Sequence, residues 1–237
     1  MGGFLRFVAF FALLVAGFVL VALPLLMGPL LAGVVRDMGL RADRIEVSVA
    51  LFDPGLFVGR SRQVTLNATN VDMGQGRIGS LQLTLGDVAF FDRTFDTASG
   101  DLQDVQLTLG ENTVSAASAT IDGPADAATV TARFTAAQVA RLLTVAAAHN
   151  GLTLDKVTVT DSGVQVRVHG VEAGAQLSVR GGALLLDPGI GGALVLIQPA
   201  ARDPWRLTDV WFSANGMNLA GTVDVAQIVA DLSGGGG

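Results

Sequence analysis

From residue 45 onward, apolar and polar side chains alternate in short runs. Ile45, Val47, Val49 and Leu51 are interleaved with Glu46 and Ser48. Leu81, Leu83 and Leu85 are interleaved with Gln82 and Thr84, and Val105, Leu107 and Leu109 with Gln106 and Thr108. Val157 and Val159, then Val164, Val166 and Val168, flank Asp161-Ser162-Gly163 as the two arms of a hairpin. Side chains on a strand point to opposite faces in turn, so a period of two with regular turn signals predicts antiparallel strands. Each strand then has one dry and one wetted face. Leu81–Gly86 and Val105–Gly110 also echo one another, which suits a stack of similar strands.

Two segments follow a helical period instead. Phe134–Asn150 carries an apolar stripe at Val139, Leu142, Leu143 and Ala146, a capping box at Thr135 and Gln138, and a stop at Asn150-Gly151. Asp224–Leu232 predicts a shorter helix, with Asp224 as cap and Gln227 in the box position. Ser233–Gly237 reads as a flexible tail. These helices are too small to cover some eight to ten strands. The dry face must therefore be buried by the sheet folding on itself as a sandwich, or by curling around a helix with an apolar groove left open.

The N-terminus has a third texture. Phe7–Val35 is 29 residues without a charge, enough for one bilayer crossing, which takes about 20 apolar residues. Pro24 and Pro29 divide the run into a membrane segment at Phe7–Leu23 and a second helix beginning at Pro29–Leu40. Small residues at A-x-A spacing are poorly placed, so the expectation is an uncleaved anchor, with export after signal cleavage as the alternative. Counting only Lys and Arg favours the far side, with Arg36, Arg41 and Arg44 against Arg6. A short N-tail leading directly into an apolar run is nevertheless how export signals begin. The expected arrangement is a single-pass membrane protein, N-terminus cytoplasmic and domain extracytoplasmic. Three parts follow: residues 1–28 as anchor, 29–232 as a β-rich domain, and 233–237 as tail.

Composition sharpens this division. Mean hydropathy is +0.53, yet 26 apolar residues lie between Phe4 and Val35, and the rest is about 45% apolar, ordinary for a soluble domain. A net charge of −6 excludes the basic face that nucleic acid requires. Without cysteine there is no disulfide, zinc finger or thiol nucleophile; tyrosine is also absent, and there are two histidines, His149 and His169. Gly74-Gln75-Gly76-Arg77-Ile78-Gly79 spells G-x-G-x-x-G, but a strand period follows where a dinucleotide site needs a helix. No hydrolase, zinc-protease or P-loop motif occurs. The expectation is a non-enzymatic protein without cofactor or metal, whose work is burial.

Candidate contacts for an amphiphile follow from the pattern. On inward positions these are Leu83, Leu85, Val139, Leu142, Leu143, Val157 and Val166. Among aromatics near the turns and closing strands they are Phe57, Phe91, Phe95, Trp205 and Trp211. Arg60, Arg62 and Arg93 are candidates for a head-group phosphate, since guanidinium forms charge-assisted hydrogen bonds to phosphate. The residues alone leave two alternatives open: a lipid-holding groove, or a structural or interaction domain of the cell envelope with a filled core and no ligand.

The order of segments adds a resemblance. Asp43–Val49, Phe52, Gly59-Arg60 leading into Val64–Leu66, Ile78–Leu83, Gly86–Val88, the helix from Phe134-Thr135-Ala136-Ala137-Gln138, and the closing strands Leu207–Phe212 and Met217–Val225 together resemble the LmeA-like phospholipid-binding family, over most of residues 36–232. The resemblance implies an α+β, mostly β fold: an elongated curved antiparallel sheet wrapped around a helix, similar to tubular lipid-binding domains, with phospholipid in an apolar cavity. It implies a role in envelope lipid maturation or transport and transfers no individual site residue. The long anchor departs from the pattern and favours action near one membrane over free shuttling.

Overall fold

A computed structural model describes residues 41–50, 53–72, 76–92, 94–109, 112–149, 151–187, 192–213 and 216–234. The apolar run at 7–35, the segment predicted at Pro29–Leu40, Phe52 and Arg93 lie outside them. Among the described residues no helix is long and apolar enough to cross a membrane. The chain is mostly β. Strand β1 (Arg44–Val49) is followed by a 3-10 turn (Pro54–Val58), then β2 (Arg60–Asp72), β3 (Gly76–Ala89), β4 (Thr97–Leu109), β5 (Asn112–Pro124) and β6 (Ala128–Thr135). After helix α1 (Ala136–His149) come β7 (Lys156–Thr160), β8 (Gly163–Val168), β9 (Val171–Arg180), β10 (Ala183–Asp187) and β11 (Leu194–Ile197). β12 (Trp205–Ser213), β13 (Gly216–Val223) and helix α2 (Val225–Gly234) complete it.

The strands form two antiparallel sheets. The larger has the order β1-β2-β3-β4-β5-β6-β13-β12, and the smaller β11-β10-β9-β8-β7. Register explains why alternation was so readable. One row of paired residues crosses the whole larger sheet: Ile45, Ala68, Leu81, Leu102, Ala119, Ala132, Leu219 and Val210. The next row is Val47, Leu66, Leu83, Gly100, Ile121, Val130, Gly221 and Leu207. Every member is apolar or glycine, so eight strands share one dry face. Gly100 has no room for a side chain: a Cβ there would lie 2.3 Å from the Gln82 carbonyl oxygen.

The alternation changes phase along one line. Asn70 and Asp104 take positive φ, 51° and 52°, a conformation that short polar side chains tolerate. Inward residues there are three apart, Ala68 then Val71 and Leu102 then Val105, while pairing of Val71 with Ile78 and of Ile78 with Val105 keeps register. Gly79 lies between the two kinks, where a Cβ would stand 3.0 Å from the Asp104 Cβ.

The dry face is covered by features of both expected solutions: a second sheet, with a helix between the two. α1 contacts β5, β6 and β13 of the larger sheet and β7 and β11 of the smaller. Its start is the predicted capping box: the Thr135 N–H donates to Gln138 Oε1 at 2.9 Å and the Gln138 N–H to Thr135 Oγ1 at 3.3 Å. Gly151, at φ 73°, closes its end with an N–H bond to the Ala148 carbonyl. Val139 and Leu143 are fully buried in one core with Phe134, Val164, Val166, Leu184 and Met217. A second core of Phe95, Ala98, Ala125, Ala128, Val223 and Val225 lies against α2. Asp224 caps α2 through the Gln227 N–H at 2.7 Å, and the helix runs to Gly234, into the segment expected to be tail. The G-x-G-x-x-G motif enters strand β3, so no helix N-terminus follows it.

Candidate functional site: a cleft beside helix α1

Leu142, Val145 and Ala146 of α1 lie beside the fully buried Val139 and Leu143. With Leu196, Ile197 and Gln198 at the end of β11, Ala200, Asp203, Trp205, and Thr113 and Val114 of β5, they line a cleft of about 340 Å³. That lies at the low end of the roughly 300–1,000 Å³ usual for ligand sites, a size for an acyl chain rather than for a whole phospholipid. The wall formed by residues 200–205 is held from within. The Arg206 guanidinium donates to the carbonyls of Ala200 (3.1 Å), Ala201 (2.6 Å), Asp203 (2.9 Å) and Trp205 (2.7 Å). The Asp203 carboxylate accepts the Ala200 N–H at 2.7 Å.

The chemistry available is therefore burial. Asp203 is the one ionisable side chain among the described lining residues, and its carboxylate already has a backbone donor. Nucleophile and base are not paired there, and among the described residues no group of His, Cys, Asp and Glu side chains could hold a metal ion.

The sequence candidates fall into separate places. Leu142 and Trp205 line the cleft; Val139 and Leu143 stand behind it in the closed core. Val157 and Val166 pair across β7 and β8 and belong to the same core, on the smaller sheet. Leu83 and Leu85 are half-buried and pack with buried Phe95 against the core under α2, which Trp205 also touches. Trp205 thus connects cleft and inner face. Phe57 and Phe91 are exposed at the end of the sheet, and Arg60 and Arg62 are exposed at the start of β2. Arg93 lies outside the described residues.

Trp211 is on the other side of the sheet. Simple alternation from Leu207 would turn it inward, but the β12 register shifts between Leu207 and Asp209. Val210 therefore faces in, paired with Leu219, and Trp211 faces out opposite Asn218, 41% exposed. Val114, Val145, Leu196, Ile197 and Arg206 were not singled out from sequence. Ala146 was read as part of the helix stripe, which was the one signal pointing to this side of α1.

One ionisable group elsewhere is distinctly perturbed. Asp53 is buried and accepts N–H bonds from Gly55 (3.0 Å) and Arg62 (2.7 Å). Burial pushes its carboxyl up. The backbone bonds from Arg62 and Gly55, the Ser61 hydroxyl and the Arg62 charge outweigh that and hold it below the ordinary carboxylate value.

The family model described as LmeA-like phospholipid-binding aligns with residues 20–222. No curated protein and no solved structure matches the chain.

Proposed function

Because the chain belongs to the LmeA-like phospholipid-binding family, we propose that it is a membrane-anchored, extracytoplasmic carrier of a phospholipid or similar amphiphile. The observation that carries this reading is the cleft beside α1, lined mainly by Leu, Val, Ile, Ala and Trp side chains, whose Trp205 also packs against the core that Leu83 and Leu85 touch. An acyl chain lying there exchanges water for Leu, Val and Trp side chains, each buried methylene contributing about 0.8 kcal/mol. The proposed phosphate contacts are Arg60 and Arg62, at the start of β2 near the pair Val64–Leu85, and Arg93 of the same basic set in the sequence. Residues 7–35 would anchor the protein in the cell membrane, and the two sheets with α1 between them would shelter the chain in support of envelope lipid maturation or transport. The proposed activity is binding, in keeping with a family described by its ligand.

The two tryptophans supply the test. In the full chain solubilised in mild detergent, a phosphatidylcholine with brominated acyl chains should quench Trp205, isolated by Trp211→Phe. It should leave Trp211, isolated by Trp205→Phe, near its detergent value. Equal quenching of both, or of neither, would contradict the cleft as the acyl site and leave the filled structural domain as the better reading.

A further inference from the structure

Three of the most exposed apolar side chains in the described chain stand together. Phe57 and Val58 end the 3-10 turn, 57% and 66% exposed, and Phe91, 83% exposed, projects from the β3–β4 connection. The turns are joined: the Phe90 N–H donates to the Gly59 carbonyl at 2.9 Å, and the Phe91 ring lies so close over Gly59 that a Cβ would come within 2.1 Å of it. Only glycine, here at φ 72°, permits this approach. Asp53 fixes the other side of the turn through the N–H groups of Gly55 and Arg62. The result is a braced apolar tip.

We propose that this tip inserts into the surface of a lipid bilayer. The inference stands apart from the cleft and holds whether or not a lipid occupies it. Two rings and a valine present only a few hundred Å², given about 150–250 Å² for each buried aromatic side chain, whereas a stable protein interface clears about 1,000 Å². A bilayer rewards each buried apolar group without demanding a complementary partner surface, and aromatic side chains favour its interfacial region. Charge is a secondary contribution, because exposed Arg60 and Arg62 are offset by exposed Asp87, Asp92 and Asp96. Zwitterionic lipid therefore suffices.

The cysteine-free sequence allows a direct test. Single variants Phe57→Cys, Phe91→Cys and, as control, Val171→Cys at a 63%-exposed position on the smaller sheet carry a nitroxide in the full chain reconstituted into phosphatidylcholine vesicles. Collision with oxygen relative to a water-soluble nickel complex should rise several-fold at positions 57 and 91 over position 171. Adding Phe91→Asp should return the label at position 57 toward the control. Equal ratios at all three positions overturn the proposal. So does a label at position 91 that becomes immobilised with increasing protein concentration while its ratio stays at the control value, which would make the tip a contact between copies.

Discussion

Asp53, Gly59 and Gly216 show how much can rest on one side chain or its absence. Asp53→Asn keeps the size of the side chain and removes the charge that two backbone N–H groups address. A loss of about 1–3 kcal/mol in denaturant unfolding is expected. The folded carboxyl titrates below its ordinary value of 3.8, so its contribution is fully present above that value and fades as pH falls through the lower folded value. The Asn variant should lack this part of the acid transition. At Gly216, φ is 142° and a Cβ would sit 1.9 Å from the Phe134 carbonyl oxygen. Gly216→Ala should therefore cost on the order of 2–4 kcal/mol in the same measurement, combining backbone strain with overpacking. Asp53-Pro54-Gly55 has turn-forming residue types in a row. Which N–H groups converge on the carboxylate depends on Arg62, nine residues on, and no local pattern encodes that distance.

Elements were legible where their signals were local. The α1 cap at Thr135 and Gln138 is a spacing of three, and Thr135→Ala should cost about 1 kcal/mol by removing it. The stripe along α1 is also local, but it does not say which member meets the core and which the cleft. Leu143 is fully buried and Leu142 half-buried beside the cleft. Leu143→Ala should accordingly cost about 2–5 kcal/mol and Leu142→Ala distinctly less, read as the difference between their denaturation midpoints. Strand existence followed from period two, whereas phase did not. Asn70 and Asp104 look like ordinary polar positions until their positive φ shifts the next inward residue by one place. The irregularity between Leu207 and Asp209 turned Trp211 outward in the same way.

For the whole molecule, sequence identified a dry face and the order of segments that marks the family. It could not say that a second sheet and α1 jointly cover the face, because those contacts join residues far apart in the chain. Val166 and Met217, for example, share one core. The cleft is a product of that assembly, formed where helix, β11 and the start of β12 meet imperfectly. Filling it separates its binding role from its structural one. Ala146→Phe should abolish quenching of Trp205 by brominated lipid while leaving the unfolding free energy within about 1–3 kcal/mol of wild type, the usual range for added bulk at a packed site.

The Arg206 clamp gives the two ends of the sheet unlike responses to acid. The acceptors of the Arg206 guanidinium are backbone carbonyls, which do not titrate. The Arg206 bonds behind Trp205 should consequently persist while the Asp53 turn loosens. Amide exchange followed as the pH is lowered stepwise from 7, corrected for intrinsic rates, should show residues 54–59 opening before residues 203–206. Acidity would thus unbrace the apolar tip and leave the cleft formed: grip on a membrane and hold on a lipid become separable properties of one chain.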